Sequence, residues 1–566
     1  MKLRRILTSA LFITAILYFI GCSGYTENIT ATMEAHDKLI LPKKPDSMQI
    51  ASIVQTSRIW GFAKYHHPAF SSDTISADAE FFKLLTDVLS HPDSLQNQVF
   101  TDWITSLGPF TIQDEEKNKS LEVFNGFQWI SDTLTLGQSL SHTLQRLRRA
   151  DSKNNKYVQQ TQVNVSFIEP VYNDIPKEDI AYRLLGVAKF WNAIDSYSPN
   201  RNLTDKPWDA VLKEYTVLAF DRSVNFSKLY SRMVSELRDS HVNTWLVPIF
   251  GGRFVPMSCR FAEDRLFITD TCTLVPNDFQ VGDEILCIDS ICPIDRLAAT
   301  APYQAYSNRA ALLKAGSYAA LLTGKDEAQI AYRRDGEIYV SKIPTVTAEK
   351  FMGYLNTSNS LKEEKKFKEL PNGIAYIRMD NLTSNDDQDL GEFLQDHDKL
   401  IIDLRAYPAE YEVLHQLLPE YFFSESRSAV VVRLPQAHQP GKWICSELKT
   451  SSTSNPQKLF KGRIVLLVNS ESQSMAEFFT MFLQTIPDVM TIGSQTAGAD
   501  GDVTQINLPY AVFNFTGAGI LYPDGTNAQR NGVKIDIVVE PSPDGLMHGQ
   551  DEQLQAAIDY LSKDQK

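Results

Sequence analysis

The 566-residue chain is short of the residues that most often build metal and redox sites: it holds 10 histidines and 6 cysteines. The cysteines are scattered, with no Cys-x-x-Cys pair and no His–Cys cluster, which excludes the usual structural zinc sites. Setting aside Cys22, the remaining Cys259, Cys272, Cys287, Cys292 and Cys445 form an odd set that cannot pair completely. Cys287 and Cys292 bracket Ile-Asp-Ser-Ile and would fit across a tight hairpin. Long basic runs are also missing. Lys plus Arg number 55 against 69 Asp plus Glu, a net charge of −14, and so acidic a surface argues against nucleic acid as the main partner. After one apolar run at the N-terminus, no second stretch of about 18 residues could enter a bilayer. At 43% hydrophobic and 22% charged residues the chain is not disordered, collagenous or a coiled coil.

The N-terminal run reads as an address. Lys2, Arg4 and Arg5 precede an apolar stretch from Ile6 to Ile20, then Gly21 and Cys22, the order of a secretory signal. Phe19-Ile20-Gly21-Cys22 resembles a bacterial lipobox. That resemblance implies residues 1–22 as a lipoprotein signal, lipidation at Cys22 and a protein anchored in the bacterial cell envelope, with the outer membrane as the expected site. Residues 23–48 are polar, contain Leu41-Pro42-Lys43-Lys44-Pro45 and read as a tether.

Helical periodicity follows over residues 49–110, carried by Ile53, Ile59, Trp60, Phe62, Phe81, Phe82, Leu85 and Leu89. A weak repeat then appears: Arg58-Ile59-Trp60-Gly61-Phe62-Ala63-Lys64-Tyr65 echoes Arg183-Leu184-Leu185-Gly186-Val187-Ala188-Lys189-Phe190. Each copy reaches a proline, Pro68 or Pro199, and then a second amphipathic helix. The expectation is two helical modules, 49–110 and 176–246, joined by a variable stretch at 111–175. His66-His67 has Tyr197-Ser198 as its counterpart and reads as a pair of solvated loop histidines. A metal-dependent hydrolase centred on them ranks low, for want of a spaced carboxylate and a third ligand.

The second module ends in Arg238-Asp239-Ser240-His241-Val242, and the texture becomes β over residues 247–345. Val281-Gly282-Asp283-Glu284-Ile285-Leu286 resembles a segment of PDZ domains, with Tyr332–Lys342 as a closing hairpin turning at Asp335-Gly336. Such a module would bind extended peptide by strand addition. Residues 346–566 alternate apolar strands (Ile374–Ile377, Leu400–Leu404, Arg463–Val468, Val489–Gly493) with helices (Leu390–Leu394, Val413–Phe423, Met475–Ile486). That pattern means a mainly parallel sheet covered on both faces, with its ligand beyond the strand C-terminal ends.

Ser474 opens a helix there, among unpaired N–H groups at the positive dipole end, where a nucleophile and its oxyanion would be stabilised. Ser474-x-x-Glu477 is equally a capping box, and on this motif alone the cap is favoured. A serine nucleophile also needs a base. His241, taken alone, reads as a structural or C-capping residue.

Ser240-His241, Asp403-Leu404-Arg405, the loop around Ser474, Gly493-Ser494-Gln495-Thr496-Ala497-Gly498-Ala499, Tyr522-Pro523-Asp524-Gly525, Gly532-Val533-Lys534-Ile535-Asp536-Ile537 and Gly549-Gln550-Asp551 occur in one order. As a set they resemble the serine peptidase superfamily of tail-specific (C-terminal processing) proteases, the tricorn core protease and the interphotoreceptor retinoid-binding protein. The resemblance implies a multidomain α/β protein: helical modules, a PDZ-like module and a crotonase/ClpP-like catalytic domain. It makes Ser474 the nucleophile. The Lys base of tail-specific proteases would fall at Ala499, which accepts no proton, so the tricorn-like branch is implied, with His241 as base and Ser240 orienting it. Where that branch has a supporting Glu, this chain has Gln529, a hydrogen-bond partner without charge. Backbone N–H groups of Met475 and Ala409 would form the oxyanion hole, although Ala409-Glu410 replaces the family's common Gly-Gly. No metal or organic cofactor is implied. The expected activity is hydrolysis of extended or unfolded polypeptides. The alternative is a catalytically weak or inactive peptide- or ligand-binding protein on the same scaffold.

Overall fold

The computed structural model describes residues 29–563 except 114–120, 124, 173–174, 177, 245 and 362–364. The signal stretch and Cys22 lie outside the described residues. The five described cysteines are all free thiols. Among the described residues no helix is long and apolar enough to cross a membrane.

Among the helices that build the N-terminal body are α1 (Ser47–His66), α2 (Ala77–Ser90), α3 (Ile180–Tyr197), α4 (Trp208–Ala219) and α5 (Phe226–Ser235). Their apolar faces close on one core that includes Ile53, Trp60, Phe81, Leu185, Trp191 and Tyr230. The helix pairs α1–α2 and α3–α4 are related, but in a different register from the sequence echo. Trp60 Nε1 donates to Ala77 O and Trp191 Nε1 to Trp208 O, both at 2.7 Å. That register also matches Pro68 with Pro199 and Arg58 with Lys189. Accordingly Arg58 of the first pair reaches Asp209 of the second at 3.3 Å, and Lys189 of the second reaches Asp78 of the first at 2.5 Å. Packing across the pseudo-symmetric interface fixes the register, and the Arg-x-x-Gly-x-Ala-Lys echo is out of step with it. α1 and α3 approach closely at Gly61, where a Cβ would fall 2.0 Å from Asn192 Cγ.

The connecting stretch 111–175 sends Phe127, Ile130, Leu140, Leu144 and Tyr157 into the core with the helices. One expectation needs correction here. His66 and His67 are not solvated, being 2% and 1% exposed. His66 stacks on Phe62 with ring centroids 4.0 Å apart and bonds through Nδ1 to Phe62 O, and burial lowers its pKa to about 3. His67 Nδ1 accepts from Ala69 N and starts the turn at Pro68. The body also buries a charge quartet: Lys64 pairs with Glu169, and Lys189 with both Asp78 and Glu169. Two cations and two carboxylates balance, as burial at this depth requires.

Residues 253–347 hold an antiparallel sheet of β1 (Met257–Ala262), β2 (Arg265–Thr271), β3 (Glu284–Ile288), β4 (Glu327–Arg334) and β5 (Glu337–Pro344), in the order β5-β4-β3-β2-β1. Asp335 and Gly336, both at positive φ, turn β4 into β5.

The C-terminal domain is a six-stranded sheet of β6 (Phe367–Leu370), β7 (Ile374–Arg378), β8 (Lys399–Asp403), β9 (Arg463–Val468), β10 (Met490–Gly493) and, at its far edge, β13 (Ile537–Val538). All strands from β7 onward are parallel, and β6 runs antiparallel at the near edge. Helix α6 (Met475–Leu483) packs on one face and α7 (Glu552–Ser562) on the other, which is why the central strands are apolar throughout. The hairpin of β11 (Val503–Leu508) and β12 (Ala511–Thr516) leaves this domain and inserts Phe513 and Phe515 into the helical core beside Phe190. It ties the two halves of the chain together.

Candidate active site

β9 ends at Val468, and the loop to α6 is pinned at once. Ser472 Oγ donates to Leu404 O at 2.8 Å and accepts from Asn469 N at 3.1 Å. The loop delivers Ser474 to the head of α6 with φ 56° and ψ −120°. A non-glycine residue there is strained, because Cβ crowds the backbone. The strain is held by Ser474 N–H, which donates to Ala499 O at 2.9 Å and to Glu477 Oε2 at 3.3 Å. Glu477 is fully buried and also receives Thr496 Oγ1 (2.5 Å), Gly498 N (2.8 Å) and Ala499 N (3.0 Å). Burial raises its pKa against these bonds. It thus fastens the 496–499 strap to the helix. Gly498, at φ 65°, lies where a Cβ would strike the Arg530 backbone at 2.8 Å.

His241 comes from the opposite side, in the turn after α5. The strap joins the two approaches: Ala497 N donates to Ser472 O at 3.0 Å, and Ser240 Oγ to Ala497 O at 3.4 Å. Gln473 Nε2, beside Ser474, donates to Ser240 O at 3.2 Å. The loop that carries Ser474 therefore touches the loop that carries His241. The His241 side chain is buried, with Nδ1 2.9 Å from Thr516 Oγ1 and Nε2 without a hydrogen-bond partner. Burial lowers its pKa, with Asp239 opposing.

The remaining expected residues fall as follows. The Ser240 hydroxyl faces Ser307, with Oγ–Oγ at 3.1 Å, and accepts Ser307 N at 2.9 Å. The imidazole is contacted by Thr516 and not by this hydroxyl. Gln529 is buried beneath both loops, its Nε2 3.2 Å from Asp239 Oδ1 and 3.5 Å from Ser307 Oγ. Ala409 N is committed to Met379 O at 3.1 Å, so the second oxyanion donor expected from it is already spent in holding the loop. Met475 N sits at the first position of α6, and the Tyr407 phenol lies near it and near Ser474; burial raises the phenol's pKa, with these two neighbours opposing. Asp500, next to the strap, is buried. Its Oδ1 accepts Gly501 N at 2.7 Å and its Oδ2 has no partner. Burial raises its pKa well above the usual range, and the nearby Glu477 adds to this. Beyond the ends of β7 and β8 lies a cleft of about 380 Å³, lined by Tyr376, Arg378, Asp403, Arg405 and Asn469 among others. Among the described residues no group of three or more His, Cys, Asp or Glu is placed to hold a metal ion.

Sequence reasoning does not reach Asp239, Thr516 or Tyr407. Asp239 carries a signal, two residues before the histidine. Thr516 carries none.

The site thus combines a parallel sheet, a strained serine heading the helix after its most apolar strand, and a buried histidine whose loop touches the serine loop. Residues 373–539 match the sequence profile of peptidase family S41. Over that stretch the chain is similar to this family of peptidases. No curated protein matches the sequence. Among solved structures, a mutant of CPAF aligns with 68% of this chain and 99% of its own at 13% identity and a TM-score of 0.53. Mature CPAF complexed with lactacystin aligns with 68% and 97% at 14% identity and a TM-score of 0.50. The photosystem II D1 C-terminal processing protease aligns with 68% and 98% at 14% identity and a TM-score of 0.37. At these identities the CPAF likeness speaks for the fold.

Proposed function

We propose that this protein is a serine endopeptidase that cleaves extended or unfolded polypeptides through an acyl-enzyme on Ser474, with His241 as general base. The observation that carries this reading is the buried, unpartnered His241 Nε2 in a loop tied by Gln473 to the serine loop. A buried acceptor left without a partner costs stability, and here it is the atom a general base needs free. His241 Nε2 takes the Ser474 proton as Oγ bonds to the substrate carbonyl carbon. The oxyanion is received by Met475 N–H at the head of α6. The C–N bond then breaks as the imidazolium gives its proton to the leaving amine, and water, deprotonated by the same nitrogen, releases the acid. The Tyr407 phenol lies beside Ser474 and Met475, so a substrate carbonyl must come past it to reach the Met475 N–H.

The finer assignments belong to the same reading. Residues 247–345 act as a PDZ-like module that takes extended peptide as an added strand. Residues 346–566 form a crotonase/ClpP-like catalytic domain, and a lipid at Cys22 holds the protein in the cell envelope. The competing reading is a binding protein on this scaffold, favoured by the Tyr407 contact and the loss of Ala409 as a donor. A fluorophosphonate probe separates the two. Labelling of the wild type that Ser474→Ala abolishes supports the peptidase; absence of labelling under every condition leaves the binding protein.

A further inference from the structure

We propose that Thr516 is a positioning residue that sets the tautomer of His241 by linking it to the Asp239 carboxylate. The argument is a count of donors. Asp239 receives His241 N at 3.0 Å, Thr516 N at 2.7 Å and Gln529 Nε2 at 3.2 Å, shared over its two oxygens. Three N–H groups converging on one carboxyl mark it as an acceptor. Thr516 Oγ1 lies 2.9 Å from Asp239 Oδ1, and its single hydrogen is directed there. What Oγ1 then offers to His241 Nδ1, also 2.9 Å away, is a lone pair. Nδ1 must therefore carry the ring proton, and Nε2 is left as the basic nitrogen. Asp239 lies 3.9 Å from Nδ1, too far for a direct hydrogen bond, so the carboxylate acts on the ring through the threonine hydroxyl.

The supports are built to keep this geometry. Phe513 and Phe515 anchor β12 in the helical core. Asn514 N donates to Asn243 Oδ1 at 2.7 Å, which fastens the strand to the residues after His241. The hairpin that joins the two halves of the molecule thus also delivers the hydroxyl that orients the base. The inference rests on the peptidase reading of His241 and extends it.

Thr516→Val keeps the shape and removes the hydroxyl, whereas Thr516→Ser keeps the hydroxyl. On the full chain, the rate of fluorophosphonate labelling at Ser474 is expected to fall about ten- to a hundredfold in Thr516→Val and to stay within about threefold of wild type in Thr516→Ser. In ¹⁵N-histidine spectra, with the His241 signals assigned by their loss in His241→Asn, wild type and Thr516→Ser are expected to show a protonated Nδ1 and an unprotonated Nε2, and Thr516→Val to lose that pattern. Equal labelling and an equal ring pattern in Thr516→Val and wild type would overturn the proposal. So would equal losses in Thr516→Val and Thr516→Ser, since packing rather than the hydroxyl would then be responsible. If the wild type is not labelled, the peptidase reading fails, and the ring spectra still decide the link.

Discussion

The two sides of the site are held by opposite means. On the serine side everything is local to one domain: Ser474 is strained at a helix head and held by Glu477, three residues on, and by the 496–499 strap. On the histidine side nothing local suffices. The ring leans on a threonine 275 residues away in sequence, and that threonine leans on an aspartate two residues before the histidine. The serine side is a rigid local device, and the histidine side exists only when the helical body and the C-terminal domain are docked through β11–β12. A nucleophile stored in strain has to be rigid before substrate arrives. On the proposed reading, a base delivered by docking makes activity depend on the whole chain, so residues 373–539 alone would lack the histidine.

The largest effect that breaks this contrast is expected at Glu477. Glu477→Ala leaves Thr496 Oγ1 and the N–H groups of Gly498 and Ala499 without their buried acceptor. It should cost about 3 kcal/mol or more in denaturant unfolding and lower labelling at Ser474, because the strap no longer holds the strained φ. Glu477→Gln keeps one acceptor oxygen and should lose less. If Glu477→Ala unfolds at the wild-type denaturant concentration, the serine side is not held in this way.

The same contrast explains what could be read from the sequence. The central strands β7 to β10 are legible because burial on both faces writes continuous apolar runs, and α6 because its start signal and apolar face adjoin one of them. Ser474 stands out because its partner is three residues off. His241 is found through the motif it shares with a family, not through its surroundings. Its surroundings are invisible because a threonine in a β-hairpin looks like any other strand residue until the chain folds. Ala409 fails as a donor for a related reason: its N–H bonds to Met379 O across the ends of β7 and β8, a pairing fixed by loop geometry. Similarity between helices can be seen in a sequence, but their register is set by the Trp60 and Trp191 bonds and by interfacial charge pairs. The buried His66 and His67 are missed because a histidine pair before proline reads as a turn, and only the aromatic packing around Phe62 shows that this turn faces inward.

A smaller effect sharpens the serine side. Burial holds the Asp500 carboxyl well above its ordinary pKa, with Oδ2 unpartnered. A carboxyl raised on folding favours the native state while it is protonated, and that contribution is lost as pH rises through the folded pKa. Relative to Asp500→Asn, which never ionises, the wild type should therefore lose stability as pH rises above the ordinary aspartate range. The slope for one group is at most about 1.4 kcal/mol per pH unit. Thermal unfolding of the two proteins from acid to mildly alkaline pH checks it: curves that stay parallel throughout exclude a raised Asp500.

The smallest expected effect lies at Tyr407. Its phenol lies beside Ser474 and Met475, where it would compete for the N–H of the proposed oxyanion hole, and the residue is 41% exposed. Tyr407→Phe removes the competing oxygen and keeps the ring. One neutral hydrogen bond is worth about 0.5–1.5 kcal/mol net, so fluorophosphonate labelling should rise about two- to tenfold. Tyr407→Ala also removes the ring and serves as the control for steric access: if it accelerates labelling and Tyr407→Phe does not, the ring blocks the site and the hydroxyl does nothing. A fall in both variants would instead mean that the phenol stabilises the developing oxyanion, and the serine side would then own a donor in place of the one Ala409 fails to give.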